Sequence, residues 1–407
     1  MLRKLLPEVA ANADFQKLWW AQILSQVAFN TLLYTLIIRI AERTTSNTAV
    51  SFFILSFSIP AVIFGLFAGV YVDRFDRRWM LILTNVLRTS LIPLFYLAER
   101  GGFLAIYPLA VLTSIVTQFF IPAEASKLAT TVPRQILHQA NSLFTFTLYG
   151  AIIAGPIAAG PALKYLGLER LFIILFILFA VATVMTVLLP KDKPNGDREE
   201  EKELHVELLD ALKHIWGDTR VKGGILLLTF SQTMIQMISA VAPGYARNVL
   251  GVDVTDTSLL MLGPAAAGML VAAFYLSHFG HQYSKKALVV AGVFIAGALL
   301  MILGGIRIFA EILDVVSTAG IVLFALGAAN AMLDVPANTA IQIHTPEALR
   351  GRVYGILNTM INGAAFLPVL LAGVIADVFS VQTMIVLMGV IVFFTGFYVQ
   401  DKARQLG

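Results

Sequence analysis

Two carboxylic acids, Glu124 and Asp334, lie deep within long apolar stretches of this sequence. A carboxylate is costly to keep ionised at such a depth, so a buried carboxyl group can bind and release a proton when its access to water changes. Asp314 is a third candidate, and Arg88 and Arg39 could supply counter-charges. The alternative for each acid is a structural ion pair. Proton exchange is therefore the chemistry that these residues predict.

Uncharged polar side chains recur at four-residue spacing in two of the apolar stretches. On an α-helix this spacing places side chains on one face. Such a face in a membrane helix more often lines a cavity than contacts lipid, the alternative being hydrogen bonding between helices. The side chains that we expect to line a substrate cavity are Gln22, Gln26, Asn30, Tyr34, Gln118, Gln232, Gln236 and Asn330.

A dense cluster of charges separates two apolar runs at residues 73–78, with five charges in six positions. A carboxylate at the end of one helix can accept hydrogen bonds from the free N–H groups that begin another. Asp73 could bind the start of the helix near residue 349, and the arginines could meet acids such as Glu124. The alternative is a turn that only anchors topology and caps a helix. The predicted conformational latch comprises Gly69, Asp73, Arg74, Arg77 and Arg78.

Composition places these residues in a membrane. With 58% hydrophobic and 13% charged residues, a soluble chain of 407 residues would expose too much apolar surface. The absence of cysteine excludes disulfides and thiol catalysis. No phosphate-binding loop is recognisable, and the histidines lack metal-ligand spacing. We therefore expect a non-enzymatic protein of the lipid bilayer with no cofactor, no metal site and no nucleic-acid partner.

Apolar runs of about 20 residues predict α-helical spans, because a helix of that length crosses the hydrocarbon core. The alternating pattern of a membrane β-barrel is absent from the sequence. The predicted spans number twelve, at 15–42, 48–73, 79–99, 102–127, 138–163, 168–190, 222–247, 256–279, 286–306, 311–338, 349–376 and 380–400.

The distribution of Lys and Arg predicts the orientation. Of the 29 basic residues, 21 fall in one set of connecting segments and the termini, 7 fall in the other set, and Arg88 lies within a span. Cytoplasmic loops carry the excess of Lys and Arg. We expect a multi-pass protein of the cytoplasmic (inner) membrane with both termini in the cytoplasm.

The longest polar segment divides the chain into halves. Leu204, Leu208, Leu212 and Ile215 recur within it at helical spacing, which indicates an amphipathic helix on the membrane surface. The predicted domains are an N-terminal six-helix bundle at 1–190, a cytoplasmic linker with this helix at 191–221, and a C-terminal six-helix bundle at 222–407.

The two halves share an internal repeat. Five positions of the first half recur in order in the second half at an offset of 213 or 214 residues: Pro122 with Pro336, Ala123 with Ala337, Pro133 with Pro346, Gly150 with Gly363, and Gly160 with Gly373. Inverted or parallel repeats of this kind are typical of secondary transporters. The fold class predicted is an all-α membrane protein with twelve transmembrane helices in two pseudo-symmetric six-helix bundles.

Along its whole length the chain resembles the major facilitator superfamily. The stretch Gly69-x-x-x-Asp73-Arg74-x-x-Arg77-Arg78 is similar to the signature between that family's second and third helices, with Asp76 where glycine is usual. The second half keeps a basic pair, Lys285-Lys286, without the aspartate. Further motifs resemble the branch of siderophore and macrolide exporters: Pro122-Ala-x-x-Ala, Val132-Pro133-Arg134, Ala140-Asn141 and Gly351-Arg352-Val353.

A glycine- and proline-rich motif in the fifth predicted helix comprises Gly150, Gly155, Pro156 and Gly160. Glycine permits close approach of helices, and proline removes a backbone donor, so the segment can kink and pack tightly. The motif resembles the signature of family members that exchange substrate for protons, with Ala159 where a glycine is usual. Ordinary small-residue packing is the alternative.

Three functions follow as hypotheses. The first, which the resemblance favours, is a secondary active transporter: a monomeric antiporter that exports amphipathic small molecules of drug or siderophore type by alternating access, coupled to protons. The second is a lipid or lysolipid flippase, or an importer, on the same fold. The third is a membrane receptor or assembly subunit that transports nothing.

Overall fold

The computed structural model describes residues 9, 11–73, 75–191, 204–309 and 311–405. Within these residues the chain forms helices joined by short turns, and none of them is in a strand. The main helices of this part are α1 (Ala13–Thr44), α2 (Asn47–Asp73), α3 (Arg77–Gly101), α4 (Ile106–Thr131), α5 (Leu137–Val187), α6 (Leu204–Gly217), α7 (Thr219–Tyr245), α8 (Gly263–Phe279), α9 (Lys285–Gly304), α10 (Val315–His344), α11 (Glu347–Val378) and α12 (Val381–Gln405). Shorter helical turns occupy Phe103–Ala105, Arg134–Ile136, Ala246–Leu250, Val254–Asp256, Ser258–Leu262, Gly280–Gln282 and Ile306–Phe309.

Eleven helical segments of the described chain are long and apolar enough to cross a membrane. One of them, α5, has 51 residues, which corresponds to about 75 Å of helix against about 30 Å of hydrocarbon. Gly167 interrupts it with a left-handed backbone, at φ 79° and ψ 166°. This position lies between the predicted spans 138–163 and 168–190, so α5 contains both of them. The all-α membrane fold is confirmed.

Acidic side chains cap the starts of α7 and α10. Asp218 precedes α7 and accepts a hydrogen bond from the backbone N–H of Arg220 at 2.8 Å. Asp314 precedes α10 in the same way and accepts from the backbone N–H of Ser317 at 2.8 Å. Hydrogen bonds from Ser317, first from its side chain and then from its backbone, lower the pKa of Asp314. Asp314 is therefore an exposed helix cap. The prediction that it is a third acid deep within a span is wrong.

The structure divides into two compact units. The first comprises Met1–Leu36 and Ser56–Leu204. Its core contains buried side chains from five helices, so α1 to α5 share one apolar interior. These side chains include Phe15 and Leu18 of α1, Val72 of α2, Leu81 of α3, Phe120 of α4 and Phe144 of α5.

The second unit comprises Ile37–Leu55 and His205–Gly407. Its core is larger and includes Tyr245, Leu300, Leu323 and Met388. The Tyr245 hydroxyl donates a hydrogen bond to the carbonyl of Leu303 at 2.7 Å, which joins α7 to α9. The end of α1 and the start of α2 thus pack with the second half of the sequence.

The predicted division at 1–190, 191–221 and 222–407 stays a prediction. Within the predicted linker, α6 forms one helix whose Ile215 is buried and whose Leu209 and Trp216 are exposed. Residues 192–203 of that linker lie outside the described residues.

Two glycines allow α8 and α10 to touch along their backbones. A Cβ atom added at Gly327 of α10 would overlap the carbonyl oxygen of Ala265, and one at Gly268 of α8 would overlap that of Phe324. Rigid backbone, not a mobile side chain, blocks each position. The close α8–α10 contact therefore requires glycine at both.

We predict that Gly327→Ala destabilises the protein by about 1 to 3 kcal/mol, the usual cost of forcing extra atoms into a packed contact. Gly320→Ala is the matched control on the same helix, because its added Cβ would lie 4.0 Å from the nearest side-chain atom, of Pro264. Thermal unfolding of the purified protein measures both. Equal unfolding temperatures for the two variants would contradict the close packing.

Candidate functional site

Asp334 of α10 lies at the centre of a buried polar cluster in the second unit. Its side chain is only 6% exposed. The Ser231 hydroxyl lies 2.8 Å from its Oδ1 atom, while the amides of Gln232 and Asn330 donate to its Oδ2 atom at 3.2 and 3.3 Å. Among the described residues no basic side chain pairs with Asp334. Neutral hydrogen-bonding groups therefore surround this acid.

The hydrogens in this cluster can be counted. Ser231 Oγ lies 2.7 Å from Asn330 Oδ1 and 2.8 Å from Asp334 Oδ1, so two acceptors face one hydroxyl that has a single hydrogen. With Asp334 ionised, Ser231 can donate to only one of these acceptors. With a proton on Asp334 Oδ1, the carboxyl donates to Ser231 and Ser231 donates to Asn330. A proton on Asp334 therefore satisfies both contacts of Ser231.

Helix periodicity positions the acid. Asn330, Asp334 and Asn338 follow each other at four-residue spacing on one face of α10. The Asn338 amide donates to the Asp334 backbone carbonyl at 3.1 Å, and the Tyr354 hydroxyl of α11 donates to Asn338 Oδ1 at 3.4 Å. Of the predicted cavity residues, Gln232 and Asn330 meet here, and the half-buried Gln236 lies one turn further along α7.

Glu124, the second predicted acid, has a different setting in the first unit. It is 6% exposed on α4 and interacts electrostatically with Arg88 of α3, which is 1% exposed. The Arg88 guanidinium lies 4.1 Å from the ring centre of Phe120 and 5.3 Å from that of Phe29. All three of its nitrogens lack a hydrogen-bond partner among the described residues. Glu124 thus faces a buried cation, whereas Asp334 does not.

The polar face of α1 makes hydrogen bonds between helices of the first unit. Gln22 Nε2 donates to the carbonyl of Phe144 at 3.1 Å, and its Oε1 accepts from Thr147 at 2.9 Å. Asn30 donates to the carbonyl of Gln26 at 2.8 Å within α1. Gln22 therefore joins α1 to α5 by hydrogen bonds, and its place in a substrate cavity stays a prediction. Two further predicted cavity residues, Tyr34 and Gln118, are buried. The Tyr34 hydroxyl has no hydrogen-bond partner among the described residues.

The motif Gly150, Gly155, Pro156 and Gly160 lies in α5, and Gly155 is its point of contact with α1. A Cβ atom added at Gly155 would lie 2.6 Å from Asn30 Cβ and 3.0 Å from the backbone nitrogen of Thr31. The Thr31 hydroxyl donates to the Gly155 carbonyl at 3.2 Å. A Cβ at Gly150 would meet nothing within 4 Å. Close packing therefore needs glycine at 155 but not at 150.

The turn between α1 and α2 is held by an acid that the sequence analysis did not select. Asp377 of α11 accepts hydrogen bonds from the backbone N–H of Asn47 at 2.8 Å and of Thr48 at 2.9 Å, which are free donors at the start of α2. It also accepts from the Asn47 amide at 2.8 Å and the Ser46 hydroxyl at 2.6 Å. A carboxylate from one helix thus caps another, 330 residues away in sequence.

Arg247, in the helical turn Ala246–Leu250 that follows α7, completes this contact. Its guanidinium donates to the carbonyls of Ala41 and Thr45 at 3.1 Å each, at the end of α1. Helix ends carry partial negative charge and helix starts partial positive charge. Arg247 and Asp377 therefore match both dipoles of the α1–α2 turn. We call these two residues with Ser46, Asn47 and Thr48 the α1–α2 clamp.

Comparison with known proteins identifies the family. The sequence profile described as Major Facilitator Superfamily matches residues 18–368. The chain belongs to this superfamily. It is 25% identical over 358 residues to the uncharacterized MFS-type transporter YfiS of Bacillus subtilis, covering 85% of this chain and 82% of YfiS. It is also 24% identical to macrolide efflux protein A of Streptococcus pyogenes, with 93% of each chain covered.

Solved structures of the superfamily share the fold at low identity. The POT family transporter PepTSo aligns with a TM-score of 0.73 and 14% identity, over 97% of this chain and 98% of that one. A bacterial homolog of the lysosomal transporter Spinster, crystallised inward-facing, aligns with a TM-score of 0.70 and 14% identity over 96% of both chains. The chain is a multi-pass membrane transporter of this superfamily.

The superfamily signature turn is described in part. Asp76, which replaces the usual glycine, caps α3 by accepting a hydrogen bond from the backbone N–H of Trp79 at 2.9 Å. Arg78 donates to the carbonyl of Val187 at the end of α5, an anchoring contact within the first unit. Arg74 lies outside the described residues, as do the side chain of Asp73 and the surroundings of Gly69. Their role in a latch, with Arg77, stays a prediction.

Proposed function

We propose that this chain is a proton-coupled exporter of amphipathic organic molecules that works by alternating access. The observation that carries the proton coupling is the buried Asp334 carboxyl, whose contacts with Ser231 and, through Ser231, with Asn330 are satisfied when it binds a proton. Similarity to macrolide efflux protein A supports the substrate class and the direction of transport. So does 20% identity over 341 residues to the multi-drug resistance efflux pump PmrA homolog of Lactococcus lactis.

In the proposed cycle, Asp334 exchanges its proton for the substrate. A proton bound from the outside completes the cluster with Ser231 and Asn330 and weakens the hold on a polar or cationic substrate. On the cytoplasmic side the proton leaves, and the carboxylate, Gln232 and Asn330 then offer polar contacts to the next substrate. Glu124, already beside Arg88, is the second coupling candidate.

The remaining assignments are part of the same proposal. The excess of Lys and Arg on one side supports an inner-membrane location with both termini cytoplasmic. We count twelve spans by dividing α5 at Gly167, and we treat the chain as a monomer. Under this orientation the α1–α2 clamp lies outside, and its release accompanies opening to that side.

Proteoliposomes with an acidic interior test the function. We expect uptake of erythromycin, a macrolide, and of ethidium, an amphipathic cation, to require the pH gradient and to exceed that of protein-free liposomes. Movement of fluorescent lysolipid without dependence on pH would instead support a flippase. No flux of any probe would support a receptor or assembly subunit.

A further inference from the structure

Two sets of three exposed aromatic side chains surround the short turns that follow α2 and α8. Within each set the rings recur every four residues, and the second set follows the first at a constant offset of 204 residues (275 − 71, 279 − 75 and 283 − 79). Each of the six side chains is between 45% and 57% exposed. The two sets, which we call the aromatic triads, are Tyr71, Phe75 and Trp79 in the first half and Tyr275, Phe279 and Tyr283 in the second.

The two triads also share their ring geometry. The ring centres of Tyr71 and Phe75 are 5.0 Å apart, and their planes are inclined at 39°. The ring centres of Tyr275 and Phe279 are likewise 5.0 Å apart, with an angle of 38°. The same spacing, exposure and ring angle in both halves indicate one common role.

The first triad continues a surface that faces lipid. Exposed apolar side chains recur with the same four-residue period along α2, at Ile59 and Ile63, and along α3, at Leu83 and Leu87. This spacing places them on one face of each helix. An exposed aliphatic face of a membrane span packs against lipid tails, which are as apolar as leucine. The first triad therefore lies where the lipid-facing surface turns from α2 to α3.

The second triad ends a similar surface on α8, where the exposed Val271 precedes Tyr275 and Phe279 at the same spacing. Charged, exposed side chains lie beside both turns: Asp76 at the first and Lys285 at the second. Each triad thus lies between an apolar span and a charged turn. Tyrosine and tryptophan favour that depth in a bilayer, because their apolar rings carry a polar O–H or N–H at one end.

We propose that the two triads bind the boundary between headgroups and acyl chains in one leaflet of the bilayer, and hold both turns there at the same depth. An even number of spans separates the turns, six when α5 is divided at Gly167, so both reach the same leaflet. The predicted latch residues Gly69, Asp73 and Arg77 lie between or beside the rings of the first triad in sequence, so this triad sets their depth. That the leaflet is the cytoplasmic one rests on the orientation proposed above, whereas the binding itself does not depend on transport.

Tryptophan fluorescence in liposomes of brominated phosphatidylcholine measures the depth of each triad. The chain has four tryptophans. One reporter keeps Trp79 and has phenylalanine at the other three positions, and a second reporter adds Trp79→Phe and Tyr283→Trp. We expect both reporters to be quenched most by bromine beside the ester groups and least by bromine at the chain ends. A third reporter, Trp79→Phe with Leu87→Trp, is the matched control on the same face of α3. Its tryptophan should lie about 12 Å closer to the bilayer centre, since it is two turns further along the span.

Three results of this experiment would overturn the proposal. Quenching of the triad reporters by aqueous iodide but not by brominated lipid would place the rings in water. Quenching by neither would place them against protein, such as a second copy of the chain. Different depths for the tryptophans at positions 79 and 283 would show that the two triads do not hold their turns alike.

Tyr71→Ala with Phe75→Ala tests whether the rings hold the turn as well as contact lipid. We expect the Trp79 reporter to lose its preference for bromine beside the ester groups and to become accessible to iodide, because the turn leaves the boundary. Leu87→Ala with Leu94→Ala removes two exposed side chains of α3 outside the triad and should leave the quenching of Trp79 unchanged. Unchanged quenching in the first variant, or the same change in this control, would refute the anchoring role.

Discussion

Replacing Asp334 by asparagine is expected to abolish accumulation of substrate against a gradient. Asparagine keeps the size of the side chain and a hydrogen bond with Ser231, but it cannot bind and release a proton. If one proton moves per substrate, a pH difference of one unit supplies about 1.4 kcal/mol, or about tenfold accumulation. The native protein should reach that ratio in proteoliposomes, whereas Asp334→Asn should only equilibrate the substrate.

The controls separate coupling from folding. Asp210→Asn removes an acid from α6, away from the spans, and should accumulate substrate normally. Glu124→Gln tests the second acid, and we expect a weaker effect because Glu124 is beside the buried Arg88. If Asp334→Asn still accumulates substrate about tenfold, the proton is carried elsewhere, and Glu124 becomes the leading candidate.

Asp377→Ala is expected to release the α1–α2 clamp. It removes four hydrogen bonds to Ser46, Asn47 and Thr48, including the capping of α2. If these bonds stabilise the held turn by about 2 kcal/mol, their loss shifts the equilibrium about thirtyfold toward the state in which the turn is free. Because the chain has no cysteine, a single Ser51→Cys reporter can be labelled selectively. Ser51 is buried against Gly373, so its labelling by a membrane-impermeant maleimide should rise about thirtyfold.

Arg247→Ala gives an independent test of the same clamp, because it removes the bonds to Ala41 and Thr45 and leaves Asp377 in place. Labelling at position 51 should rise in this variant too. Asp256→Ala, an acid in the turn between α7 and α8, is the control and should label as the reporter alone does. Equal labelling of the reporter alone and of the reporter combined with Asp377→Ala, Arg247→Ala or Asp256→Ala would show that the clamp does not hold the turn.

Local sequence patterns predicted most of the fold. Uninterrupted apolar runs located the spans, because a helix in lipid must satisfy its backbone internally and be long enough to cross. Asn330 and Asp334 were predicted separately, and their four-residue spacing puts them on one face of α10. The depth of Glu124 and Asp334 within apolar runs also predicted their burial, which the structure places at 6% exposure for both.

Contacts between distant segments could not be predicted in this way. Ser231 is a small hydroxyl residue beside the more conspicuous Gln232, and only the packing of α7 on α10 gives it a role. Asp377 and Asn47 are 330 residues apart. One signal was available for Asp377: an acid near the end of its own helix opposes that helix dipole, which suggests a partner elsewhere. The hydrogen bonds of Gln22 with Phe144 and Thr147 likewise depend on the packing of α1 on α5.

Substrate-induced proton release is the most direct measurement of the central claim, because it needs neither flux nor orientation. Erythromycin is added to the purified protein in weakly buffered detergent solution, and the change in pH is recorded with a dye. The account predicts about one proton released per native chain under a single-site exchange, and none from Asp334→Asn. Binding of erythromycin without proton release, or equal release from Asp334→Asn, would contradict it.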